Sequence, residues 1–133
     1  MKNLIALIDS NAVAARGLQL SLEDGGHQVV LGSDADEIMG RLNHATPLAL
    51  ALAEQWNSGP RSGLAEALDL RSRIRPDMPI IVLASRFDNH DSLKATVPGL
   101  TIVLTPTEPS EILATVDKAL AEIDRTRAFN AAD

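Results

Sequence analysis

Between Pro47 and Gly63 the chain reads PLALALAEQWNSGPRSG, and the first half of that stretch limits the possible folds more than any other feature. Leu48, Leu50 and Leu52 alternate with Ala49, Ala51 and Ala53, a period-2 run that is apolar on both faces. A strand with one wet face alternates apolar with polar residues. One that is apolar on both faces needs cover on both sides, which places it inside a sheet between two helix layers. A polar loop punctuated by Gly and Pro follows at once, from Glu54 through Trp56 to Pro60. In open parallel sheets, ligands and reacting groups sit just beyond the carboxyl ends of the strands. The residues that end this strand, Ala53 and Glu54, are therefore the first place to look for chemistry, and neither is Asp, Ser, Cys or His.

The rest of the chain supplies partners for that strand. Leu4–Ile8 is a short apolar run followed by Asp9-Ser10-Asn11, a cluster of helix N-cap residues. Val13, Leu18, Leu20 and Leu22 predict a helix that stops at Gly25-Gly26. Val29–Leu31 reads as a second strand, and Ser33 or Asp34 caps a second helix carrying Ile38, Met39 and Leu42. After the long loop, Leu64, Ala67, Leu68, Leu70 and Ile74 have helical spacing, and Arg71, Arg73 and Arg75 read as a solvated cationic helix end. Pro76 and Pro79 lead into strand Ile80–Ala84. Ser85–Val97 is polar, with a short helix expected around Asp91–Thr96. Leu100–Leu104 is the fifth strand, and Pro109 suits the first position of a last helix bearing Ile112, Leu113, Val116, Leu120 and Ile123. Residues 1–125 read as the domain and 126–133 as a flexible C-terminal tail.

Strands alternating with helices imply right-handed parallel crossovers and helices on both faces. The expected fold is α/β and flavodoxin-like, a (βα)5 three-layer sandwich with a parallel five-stranded sheet of order 2-1-3-4-5. Strands one and three then adjoin, so Asp9-Ser10 and Ala53-Glu54 flank one crevice. Ala84-Ser85 and Thr105 form its rim.

Composition narrows the function. A chain of 133 residues that is 45% hydrophobic can build one core. A net charge of −6 argues against nucleic acid or an anionic membrane as a direct partner. The absence of Cys excludes thiolate catalysis and Cys-based metal sites. The N-terminal MKNLIALIDSN lacks a signal-peptide cleavage site and no apolar run is long enough to span a membrane, so a soluble, cytoplasmic setting is expected. No G-x-S-x-G, G-x-x-x-x-G-K-[ST] or G-x-G-x-x-G motif occurs.

Asp9-Ser10, the strand six residues long after Pro47, PIIVLAS, and the Thr105-Pro106 turn before the last helix together resemble the receiver domain of two-component response regulators, over residues 3–124. In that family an acidic pair after strand one and an Asp ending strand three bind Mg²⁺, and that Asp accepts a phosphoryl group from a histidine kinase. A Ser/Thr ending strand four and a Lys before a proline after strand five contact the phosphoryl group. Position by position, the resemblance places Asp9 and Ser10 at the acidic pair, Ala53 at the acceptor, Ala84 at the Ser/Thr and Thr105 at the Lys. Pro106 keeps the proline. The aromatic often present in strand five is Ile102.

A methyl group cannot form an acyl phosphate. Asp9 with Ser10 is a thin ligand set for Mg²⁺, so its binding is expected to be weak or absent, with Asp9 a vestigial ligand at most. Nothing at position 105 offsets phosphoryl charge. The resemblance thus implies a degenerate pseudo-receiver: a non-enzymatic module of phosphorelay signal transduction, without cofactors, acting through protein contact. The implied partners are a histidine kinase, an effector or a second copy. The surface that the family uses for output falls here on Asp91–Ala95, Leu100–Leu104 and Ser110–Ala121, with Asp91, Lys94, Ile102, Glu111 and Lys118 as candidate contacts.

Several residues keep two readings. Asp9 is either a vestigial metal ligand or, more simply, the cap of the first helix. Glu54 reaches the crevice only if the strand carries a bulge, because alternation aims it away from the side that Ala53 faces. Ser85 and Thr105 either supply pocket hydroxyls or make ordinary turn hydrogen bonds. Trp56 is a lid, an interface anchor or a packed loop residue. His27, His44 and His90 read as solvated or locally bonded. Two rival functions stay open: a phosphorylatable receiver with a displaced acceptor, such as Asp9, and a small-ligand binder using the crevice lined by Ala53, Ala84 and Trp56.

Overall fold

The computed structural model describes residues 3–42, 46–54, 62–84, 97–105 and 107–132, with backbone alone at 12 and 126–132. In chain order the elements are β1 (Leu4–Ile8), α1 (Ala12–Asp24), β2 (Gln28–Gly32), α2 (Ala35–Arg41), β3 (Leu48–Glu54), α3 (Gly63–Ile74), β4 (Ile80–Ala84), β5 (Leu100–Leu104) and α4 (Pro109–Ala132). The strands form one parallel sheet of order β2-β1-β3-β4-β5, the expected flavodoxin-like topology. Four helices stand among the described residues; the helix expected around Asp91–Thr96 lies outside them.

Local chemistry sets the helix ends. Asn11 caps α1, its side chain accepting from the Ala14 N–H at 3.1 Å. Asp34 caps α2 through the Glu37 N–H at 2.8 Å, and Ser62 caps α3 through the Ala65 N–H at 3.2 Å. Each short polar side chain satisfies a backbone donor that the helix itself cannot. Helix α1 ends as Gly25 donates to the Ser21 carbonyl and Gly26 to the Glu23 carbonyl, with Gly26 at a φ of 96°, a conformation that costs glycine nothing. Two features of the expected helices differ. Val13 and Leu20 are exposed, while Leu22 is buried as expected and Ala15 joins it. Helix α4 continues to Ala132, where a flexible tail was expected after Arg125; TRAFNAA contains neither Gly nor Pro to stop it.

Each sheet face carries its own core. Leu4, Ala6, Ile8, Ala51, Ala53, Ile80 and Val82 meet Ile38 of α2 and Leu64, Ala67 and Leu70 of α3. On the other face Ile5, Leu7, Leu50, Leu52, Ile81 and Leu83 meet Ala15 and Leu22 of α1 and Ile112, Val116 and Leu120 of α4. Burial of such aliphatic side chains, at roughly 1.5–3 kcal/mol each, dominates the stability of the sandwich.

One irregularity positions everything at the crevice. Leu4 pairs with Leu48, but Ile5 pairs with Leu50, so β3 slips one residue against β1 at Ala49. The packing shows the same slip: Leu48 joins the face with Ala51 and Ala53, opposite to Leu50 and Leu52. Arg75, at the end of α3, holds this point, its guanidinium donating to the Leu48 carbonyl and, at 3.1 Å, to the Ala49 carbonyl. The arginines that read as a solvated helix end are therefore tethers. Arg71 donates to the Pro98 carbonyl at 2.5 Å, and Arg73 bridges Asp36 at 2.7 Å and Asp69 at 3.1 Å.

Two further polar contacts bind the layers. Glu66 of α3 is buried and accepts the Ala35 N–H at 3.0 Å, satisfying a first-turn donor of α2. His27 is also buried, and its Nε2 lies 2.7 Å from Asp117 Oδ1 of α4. It is thus neither solvated nor locally bonded, because the turn after α1 tucks it beneath the last helix. No helix among the described residues is long and apolar enough to cross a membrane.

Candidate functional site

The carboxyl ends of β1, β3, β4 and β5 converge where the sequence placed a crevice. Ile8 pairs with Ala53, Ala53 with Val82 and Ala84 with Leu104. Ala53 is fully buried and Ala84 nearly so, both on the sheet face that α2 and α3 cover. Their methyl groups are part of the core. Thr105 is half-buried, and its N–H donates to the Ala84 carbonyl at 2.8 Å. Ser10 is exposed. Ser85, Pro106 and Trp56 lie outside the described residues.

Asp9 is buried, 5% exposed, at the end of β1. Its own N–H donates to the Gly32 carbonyl at 3.1 Å, and its Oδ1 accepts the Asn11 N–H at 2.8 Å. It is not the cap of α1: Asn11 has that role, and Asp9 orients Asn11 from two residues upstream.

Glu54 stands beside Asp9. Alternation does turn Glu54 away from the side of Ala53. The slip at Ala49, however, sets Ile8 against Ala53, so Asp9 and Glu54 leave their strands on the same face. Two carboxyl groups can hydrogen-bond only when one carries the proton. The Glu54 carboxyl is accordingly pushed up to about 7, first by the hydrogen bond to Asp9, then by burial, then by the charge of Asp9. The alternation of residues 48–53 predicts neither the slip nor this pair.

Mg²⁺ requires an octahedral shell of hard oxygens. Asp9 Oδ1 accepts from a backbone donor, the Glu54 carboxyl is raised to about 7 beside it, and Ala53 offers only a methyl. Among the described residues no three His, Asp or Glu side chains group as a metal cage.

On the expected interaction face, Ile102 is half-buried and packs on the core, while Glu111 and Lys118 are exposed. Glu111 accepts from the Thr107 hydroxyl. A groove of about 370 Å³ runs between β5 and α4, past Ile102, Val103, Thr115 and Lys118. Asp91 and Lys94 lie outside the described residues.

Comparison with known proteins bears on the fold alone. No protein-family model and no curated protein sequence matches the chain. Solved structures do. A CheY-like response regulator receiver domain protein from Methanospirillum hungatei superimposes with a TM-score of 0.75 at 19% identity, covering 95% of this chain and 99% of that one. The chemotaxis protein CheY4 of Vibrio cholerae gives 0.74 at 16% identity, covering 90% and 99%. NtrX of Brucella abortus, solved in complex with ATP, gives 0.79 at 20% identity, covering 98% of this chain. The chain spans about 29% of the length of that NtrX protein. The fold is that of the CheY-like receiver domains of two-component response regulators.

Proposed function

We propose that this chain is a pseudo-receiver, a module of two-component or phosphorelay signalling that acts through protein–protein contact without being phosphorylated. The observation that supports this most is Ala53. The sequence resemblance sets Ala53 at the acceptor position, and its methyl group is fully buried in the core between the sheet and the helices α2 and α3.

The neighbouring groups support the same reading. The carboxyl that does end β3 belongs to Glu54, which faces Asp9 and holds a proton up to about pH 7. A neutral carboxyl is a poor nucleophile. Thr105 carries no charge to stabilise a transferred phosphoryl group. Without a labile switch, a fixed carboxyl pair holds the crevice in one arrangement, and no enzymatic step or resident metal is needed. The partner is a protein: a histidine kinase, an effector or a second copy, meeting the face of β5 and α4 that carries Glu111 and Lys118.

Incubation with acetyl phosphate and Mg²⁺ followed by intact-mass measurement tests this reading. The expected result is an unchanged mass. A gain of one phosphoryl group, localised to Asp9 or Glu54, would replace it with a phosphorylatable receiver whose acceptor is displaced.

A further inference from the structure

Strand β2 is an end strand of the sheet, and its outer side opens into a groove of about 400 Å³. The direction of its hydrogen bonds follows from the ladder. Gln28 donates to Asn3 and Gly32 accepts from Asp9, so Gln28, Val30 and Gly32 bond inward to β1. Val29 and Leu31 then direct their N–H and C=O groups outward. Arg41 covers one of these, its Nη1 donating to the Leu31 carbonyl at 2.9 Å. The other three are an edge of the kind that takes an added strand.

The walls of the groove have a definite charge. Arg16 and Gln19 of α1 line one side, and Arg41 and Leu42 line the other. Among the described residues no acid lines it, on a chain whose net charge is −6. Glu37, the acid nearest to Arg41, is 3.5 Å away with both side chains largely exposed, a pair of little strength. The oxygen of the Gln19 side chain is buried there without a hydrogen-bond partner. Buried acceptors are normally satisfied, so this one marks a place for an incoming donor.

We infer that the β2 edge docks an extended acidic peptide segment of another protein, which adds a strand through Val29 and Leu31 and sets carboxylates against Arg16 and Arg41. The peptide N–H groups supply donors for the Val29 carbonyl and for Gln19. Charge selects the partner: a basic segment is repelled, and a second copy brings two like-charged rims together. This surface lies on the opposite sheet edge from β5 and does not depend on the state of the acceptor pocket.

The test is to pan a phage-displayed random 12-residue peptide library against the whole chain and titrate the enriched peptides into ¹⁵N-labelled protein. The expected peptides place Asp or Glu in alternation with β-branched residues and shift the amides of Val29 and Leu31. Arg16→Glu, at a side chain with no described contact to lose, weakens binding at least about tenfold; Lys118→Glu does not. Three results would overturn the inference: no enrichment, acidic peptides whose shifts map elsewhere, or affinity indifferent to Arg16→Glu. A concentration-dependent dimer that shifts the same amides without peptide would assign the edge to a second copy instead.

Discussion

The Arg75 guanidinium donates to the Ala49 carbonyl at 3.1 Å, at the residue where β3 slips against β1. From that point to the end of the strands every pairing is displaced by one residue, and the displacement brings Glu54 to Asp9.

Arg75→Met is therefore expected to act at a distance. The loss of two hydrogen bonds from a charged donor to half-buried carbonyls should destabilise the fold by about 1–3 kcal/mol, read from the urea midpoint. It should also release the Glu54 titration from about 7 toward the ordinary 4.5, because the carboxyls separate when the register relaxes. A folded variant in which Glu54 still titrates near 7 would show that Arg75 does not hold the slip.

Stability should depend on pH through the carboxyl pair. Glu54 releases its proton near 4.5 when unfolded and near 7 when folded, so between these values the folded chain holds a proton that the unfolded chain lacks. The contribution of this group is complete at the acid end of that window and is lost as pH rises through the folded value. The side chain is largely open to solvent, and with screening the loss should be about 1 kcal/mol. Glu54→Gln should remove that slope from the pH profile of urea unfolding. An unchanged profile would show that the pair does not share a proton.

The sequence was legible where a single residue type has a local consequence. The sheet order, all five strands and the stop of α1 at Gly25-Gly26 follow from periodicity and punctuation. The slip in β3 could not be read, because Leu48–Ala53 is apolar on both faces and a one-residue slip exchanges one apolar side chain for another. A strand with one polar face would have declared its register. Arg75 and Glu66 were missed for a related reason: their partners are backbone groups of Leu48, Ala49 and Ala35, which no side-chain pattern reveals. The pairing of His27 with Asp117 spans ninety positions and carries no local signal.

Ala53→Asp puts a carboxylate at the position that the sequence resemblance equates with the acceptor. The site is a fully buried methyl packed among aliphatic side chains, so the substitution should cost about 2–4 kcal/mol in equilibrium unfolding. Undiminished stability would mean that water reaches this side of β3 and that the pocket is not closed.

Glu66→Ala removes the buried acceptor for the Ala35 N–H at the start of the seven-residue α2. The expected cost is about 1–3 kcal/mol, with hydrogen exchange accelerating in α2 before the sheet. Glu66→Gln keeps an acceptor oxygen and should recover most of it. Equal losses in both variants would point to the negative charge and not the hydrogen bond.

The claim that the crevice has lost its phosphoryl chemistry is tested most directly by an amide NMR titration with Mg²⁺ followed by beryllofluoride, a mimic of the bound phosphoryl group. The account predicts that the resonances of Asp9, Ala53 and Thr105 stay in place through both additions. Saturable shifts at those residues on adding beryllofluoride would contradict it and would identify a working acceptor in the crevice.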